Sequence, residues 1–380
     1  MYDAARIEVL EGREAVRKRP GMWVGSTGER GLHHMVFTVV GRAVNQVPAG
    51  RSGSVDVTLT PDGGVRVADD GSGGPFEAAG DTGGPGLEAL LTSFHAGSGP
   101  SDRTIVAVGH FGVGLFVANA LSSRLTAEVR WEGVRRVQEY ARGVAVAPPA
   151  TVAPGSGSGT TITFWPDAEI FETTRCSFAV LAERFRQVAF LNRGLRISLT
   201  DERPAGAARA VLFRFPEGVR DFVAALDAED GAALHPDIIS FEREDPRMAG
   251  TMEVALLWSG FRGERIRGFA NSQATPEGGT HVDGFRDGVA AAVTAYTGER
   301  GLLTGADPEA DGIAGGFTAV VSVKLDRPEF LGATSGLLGN KDVRVCVAEA
   351  VQDHLGTWFE KRPERAAEIV DRIVRGTHQD

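Results

Sequence analysis

Cysteine is nearly absent: Cys176 and Cys346 are the only two in 380 residues. Two thiols exclude a disulfide scaffold and a cysteine-caged metal site. Lysine is almost as scarce, since only Lys18, Lys324, Lys341 and Lys361 stand among the 40 basic residues. Those 40 are outnumbered by 50 acidic ones, and a formal charge of −10 argues against binding nucleic acid through overall basicity. No apolar run approaches the roughly 18 residues of a membrane span. The opening MYDAARIEVLEGREAV carries charges throughout and has no signal-peptide core. The expectation is a soluble cytoplasmic protein with no membrane partner. What is present suits a folded chain: 42% hydrophobic residues with mixed charges give about two or three domains rather than disorder.

Residues 31–47 place Val36, Val39, Val40, Ala43, Val44 and Val47 at helical spacing, and Pro48 ends the run. Residues 55–59 and 65–67 alternate like half-buried strands around a Pro61-Asp62-Gly63-Gly64 turn. Residues 115–121 read as a helix opened by glycines, and 124–140 and 160–164 as further strands. This is a mixed α+β layer with antiparallel pairs, not a regular strand–helix alternation. The polar stretch 199–210 places a boundary, giving domains 1–205 and 206–380. In the second, strands are expected at 254–258, 265–270 and 317–325, with helices at 282–296 and, closing the chain, 342–358.

Three segments carry chemistry. Val108 to Gly114 is a glycine loop before a helix, where backbone N–H groups and the helix dipole favour a phosphate. Asp69 and Asp70 precede Gly71-Ser72-Gly73 at a strand end. That is a turn, or a place where Asp69 accepts a hydrogen bond from an exocyclic amine such as that of adenine. Gly159-Thr160 opens a strand, and the Thr160 hydroxyl is available to the same ligand.

In this order the three segments resemble the Bergerat, or GHKL, ATP-binding fold, and within it the DNA gyrase B and topoisomerase IV B family. Arg13 to Gly25, Ser26 to His34, Phe164-Trp165-Pro166, Phe190-Leu191-Asn192, Glu277 to His281 and Leu338-Gly339-Asn340 carry the likeness along essentially the whole chain. The resemblance implies a GHKL α/β sandwich followed by a ribosomal-S5-like transducer domain, with the downstream Toprim domain absent from this chain. It implies ATP as ligand, with Asp69, Gly73, Gly112, Val113, Gly114, Asn119 and Thr160 as nucleotide-binding residues. It also implies an N-terminal dimerisation arm bearing Tyr2 and Ile7. The expected partners are a second copy or a gyrase-B-type subunit, with a gyrase-A-type subunit or DNA engaged only indirectly.

The departures matter as much. The family's first nucleotide helix carries a Glu as general base, an Asn four residues on that holds Mg²⁺, and a further acid four after that. Positions i, i+4 and i+8 share a helix face; here that face reads Thr38, Arg42, Gln46. A threonine hydroxyl does not serve as a base near neutral pH, and a guanidinium offers a metal no lone pair. The family's γ-phosphate Gln and Lys are replaced by Ala333 and Ser335, and residues associated with aminocoumarin binding by Ser72 and Trp131. The expectation is therefore a pseudoenzyme without catalytic residues or a metal ligand, binding nucleotide weakly or not at all. Arg42 is either a phosphate clamp or a partner of Asp69 that blocks the pocket. A working topoisomerase ATPase module and a gyrase-interacting or drug-decoy protein are the alternative readings.

Overall fold

The computed structural model describes residues 12–47, 53–74, 86–93, 114–154, 156–230, 237–258, 264–301, 316–332 and 336–376. It is α+β throughout, in two compact units that divide between Phe215 and Pro216.

The first unit opens with helices α1 (Gly12–Lys18), α2 (Gly21–Val24) and α3 (Glu29–Gln46). The expected helix thus begins two residues early. Leu32, Met35, Val36, Val39, Val40, Ala43 and Val44 are buried along it, the repeating stripe that drives an amphipathic helix onto a sheet. Val47 leaves the helix with ψ of 118°, because a residue before proline is steered out of the α region. The hairpin follows as predicted: β1 (Gly53–Leu59) pairs antiparallel with β2 (Val65–Asp69), Val57 opposite Val67. The short helices α4 (Leu87–Thr92) and α5 (Gly114–Ala120) precede a meander of β3 (Ser122–Trp131), β4 (Val134–Ala141), β5 (Val144–Ala145), β6 (Ala150–Pro154) and β7 (Gly159–Pro166). Helix α6 (Phe178–Phe190) then leads to β8 (Leu195–Asp201) and β9 (Arg209–Phe213).

These strands form one sheet in the order β5-β4-β3-β7-β2-β1-β8-β9, with β6 also on β4. Only β1 and β8 run parallel. Helices α3 and α6 meet edge-on at Phe37 and Phe185, whose ring centroids are 6.4 Å apart. The boundary expected at 205/206 moves to 215/216. Strand β9 lies beyond that expected boundary yet pairs with β8, Leu199 opposite Val211, so its backbone groups belong to the first sheet.

The second unit contains α7 (Val219–Asp230), β10 (Ile239–Asp245), β11 (Gly250–Trp258), β12 (Glu264–Ala270), β13 (Gln273–Ala274), α8 (Thr280–Glu299) and β14 (Phe317–Leu325). The small pair β15 (Phe330–Leu331) and β16 (Leu337–Leu338) comes before α9 (Lys341–Lys361) and α10 (Pro363–Gly376). Its main sheet runs β10-β11-β14-β12-β13. Phe285, Val289, Val293, Val347, Val351 and Phe359 from α8 and α9 pack with Trp258 and Phe317 of the sheet. Contrary to the sequence expectation, α9 does not close the chain. Helix α10 follows it and buries Ala366, Ile369 and Val370, at i, i+3 and i+4 of an apolar stripe that the sequence continues to Ile373 and Val374.

Candidate nucleotide site

Asp69 ends β2 and is buried. Its Oδ1 accepts the backbone N–H of Gly71 at 3.0 Å and that of Thr160 at 3.3 Å. The adjacent Asp70 does different work. Its two oxygens accept the backbone N–H and the hydroxyl of Ser54, each at 2.7 Å, and tie the end of β2 to the start of β1. The paired aspartates are thus one strand tie and one buried acceptor that also closes the turn to Gly71.

Burial pushes the Asp69 carboxyl up to about 6, against the pull of the Gly71 and Thr160 amides and the Arg42 charge. Two glycines let neighbouring backbone segments approach closely here. A Cβ on Gly159, at φ +138°, would fall 2.1 Å from the Asp69 carbonyl oxygen. One on Gly73, at φ +67°, would fall 2.6 Å from that of Arg130. Only glycine meets both requirements.

Asp69 and Thr160 border a cavity with Arg42, and Val39, Ala43, Val67, Leu87, Leu115 and Ile162 line the rest. The chain thus brings together α3, β2, α4, α5 and β7. The room inside is about 10 Å³, on the order of one water molecule. Leu87 and Ile162 could not be assigned to the site from sequence, since apolar residues at helix or strand spacing look alike wherever they face.

The helix face of α3 is resolved in detail. Thr38 donates its hydroxyl to the His34 carbonyl of its own helix at 3.0 Å and does not line the cavity. Arg42, one turn on, does line it, and its Nη1 is buried without a hydrogen-bond acceptor. Burial lowers the Arg42 pKa while Asp69 raises it, so the two charges sense each other. Even so, no direct ion pair joins them. Arg42 therefore does not spend itself on Asp69. Arg42, at the place the resemblance assigns to a Mg²⁺ ligand, has no lone pair to give a metal.

The other expected residues divide. Gly114 is the first residue of α5, at φ +52°, and its neighbour Leu115 reaches the cavity. Asn119 is wholly buried but lines no part of it; its amide donates to the Leu91 carbonyl at 3.0 Å and ties α5 to α4. Gly112, Val113, Ala333, Ser335, Tyr2 and Ile7 lie outside the described residues. A second buried cation, Arg184 on α6, was not singled out from sequence. With Phe37, Gly41 and Phe185 it lines a separate small pocket behind α3, and burial lowers it to about 10.

Several polar residues prove structural. Arg17 joins Asp167 at 2.7 Å and the Ala120 carbonyl at 2.8 Å. His33 accepts the Ser177 backbone N–H at 2.8 Å. Arg286 is engaged by Glu264. Both cysteines are buried, and burial raises the thiol of Cys176 to about 12 and that of Cys346 to about 11.

A family profile described as "Histidine kinase-, DNA gyrase B-, and HSP90-like ATPase" matches residues 27–170, and one described as "DNA gyrase B" matches 218–380. The 43K ATPase domain of Thermus thermophilus gyrase B, solved with an aminocoumarin, superposes with a TM-score of 0.83 at 31% identity, covering 98% of this chain and 96% of that one. This chain belongs to the DNA gyrase B family.

The DNA gyrase B protein of Streptomyces coelicolor is 43% identical over 99% of this chain and 58% of its own length. The novobiocin-resistant DNA gyrase B protein of Streptomyces niveus is 42% identical over 98% of this chain, again 58% of its own length. The chain thus spans little more than half of these relatives. Within the family's GHKL sandwich, the cavity at Asp69 is lined by Val39, Arg42 and Ala43 of α3. No helix among the described residues is long and apolar enough to cross a membrane.

Proposed function

We propose that this chain is a gyrase-B-type module that binds a nucleotide weakly at the Asp69 cavity and does not hydrolyse ATP. The observation that carries this reading is the face α3 turns to the cavity. It offers Val39, Arg42 and Ala43, with no carboxylate. Thr38, at the family's general-base position, holds its proton far too tightly to activate water and is bonded to His34. Loss of a general base removes about 100- to 10,000-fold of rate. Replacement of the phosphate-contacting lysine by Ser335 removes a further electrostatic contribution. The small volume of the cavity supports weak binding, because a nucleobase must displace side chains to enter.

The chain would then contribute its fold and association surface. Its partner would be a second copy or a gyrase-B-type subunit, with a gyrase-A-type subunit or DNA reached through that partner. DNA topoisomerisation belongs to the whole relatives and is not proposed for this chain alone.

Phosphate release and calorimetric titration with ATP on one preparation test this. The expected result is no phosphate release above the buffer rate, with at most weak heats of binding. Turnover that scales with protein, requires Mg²⁺ and disappears in Asp69→Asn would establish a working ATPase and overturn the reading.

A further inference from the structure

Of the described residues bordering the Asp69 cavity, Arg42 alone carries a buried side-chain nitrogen with no hydrogen-bond acceptor. A guanidinium stays charged in proteins, so burial does not neutralise it; a water or a ligand entering the cavity has to supply the missing interaction. Asp69 is the obvious candidate and does not supply it. Its Oδ1 already accepts two backbone N–H groups, and no ion pair forms between the two side chains. A plug, meaning an arginine that closes the pocket by pairing with Asp69, would satisfy Nη1; this arrangement leaves it unsatisfied.

Arg42 also stands one helical turn from Thr38, at the position where the family resemblance places the metal ligand. It cannot hold a cation, but it is one. A guanidinium beside phosphate oxygens supplies both charge and directed N–H donors, the two things a bound divalent ion would supply as charge and coordination.

We propose that Arg42 takes the place of the divalent cation, so that a nucleoside phosphate binds with an oxygen on Arg42 Nη1 and a base amine on Asp69, without metal. This rests on the reading that the cavity accepts a nucleotide. It extends that reading by naming the group that holds the phosphate and the independence from metal. No bond is made or broken in the binding step.

Calorimetric titration of the full chain with ADP, in excess EDTA and in excess Mg²⁺, tests it. The wild type is expected to bind ADP equally well in both. Arg42→Ala is expected to weaken binding in EDTA by about tenfold or more, the weight of a charge-assisted hydrogen bond. Arg42→Lys is expected to retain part of the affinity, and its thermal unfolding guards against a folding defect in the alanine variant. Wild-type binding that requires Mg²⁺ would overturn the proposal. So would Arg42→Ala binding as tightly as wild type or more tightly, the signature of a plug. These failures leave the nucleotide site standing if Asp69→Asn still abolishes binding. Absence of wild-type binding under both conditions would instead remove the site itself, and the proposal with it.

Discussion

The Asp69 carboxylate accepts the backbone N–H of Thr160 at 3.3 Å and so joins the end of β2 to the start of β7 across 91 residues. That contact fixes one buried acceptor at the floor of the cavity and sets much of what can be measured on this protein.

Asp69 should make stability depend on pH in an unusual direction. Its folded pKa of about 6 lies above the ordinary carboxylate value near 3.9. Between these values the folded state binds more protons than the unfolded one, so stability contributed by Asp69 is full below about pH 4 and lost as pH rises through 6. Chemical denaturation at several pH values should show a loss on the order of 2–3 kcal/mol across this window. Asp69→Asn should remove that slope. It should also abolish nucleotide binding, since an amide nitrogen would face the ligand's own donor.

His33 should act with the opposite sign. Burial lowers its pKa, against the raising effect of Glu29, and the neutral ring accepts the Ser177 N–H. The unfolded state then binds the extra proton, so the stabilising contribution is present above about pH 6.5 and lost as pH falls towards the folded pKa. The difference in unfolding free energy between wild type and His33→Ala should therefore shrink from pH 7 to pH 5. A constant difference would show that the ring is not held neutral.

Arg17→Ala should destabilise the first unit by about 2–3 kcal/mol, because Asp167 would keep its burial and lose its closest cation. Arg142, at 3.4 Å, remains as partial compensation. Denaturant midpoints of Arg17→Ala and of Arg17→Ala with Asp167→Asn separate lost pairing from lost packing: the double variant should recover part of the loss.

Gly159→Ala should cost more than about 2 kcal/mol and disable the site, since the added methyl would sit 2.1 Å from the Asp69 carbonyl oxygen at a φ of +138°. Gly206→Ala meets nothing within 4 Å and should unfold like wild type. Equal thermal midpoints for the two variants would mean that the β2–β7 approach is looser than the structure has it.

Much of this was legible from local pattern. The stripe from Val36 to Val47 announced α3, and alternation around the Pro61–Gly64 turn announced the β1–β2 hairpin, because each signal repeats within a few residues. The boundary was misplaced for the same reason. A polar stretch at 199–210 looks like a linker locally, whereas β9 is a strand only because β8 supplies its hydrogen bonds. Helix α10 is equally legible, since Ala366, Ile369, Val370, Ile373 and Val374 follow helical spacing; what the structure adds is the core that Ala366, Ile369 and Val370 join.

The sequence by itself determined that the helix face at Thr38, Arg42 and Gln46 has no carboxylate, because residue identity and helical period are enough for that. Only the tertiary structure decided that Asp70 ties β2 to β1 while Asp69 faces the cavity, that Arg17 is bound to Asp167, and that Arg42 lines the same cavity as Asp69 with no ion pair to it. Those outcomes depend on which groups sheet pairing and burial bring within hydrogen-bond distance. Such distances are set by contacts from 16 to 150 residues apart, which no local pattern encodes.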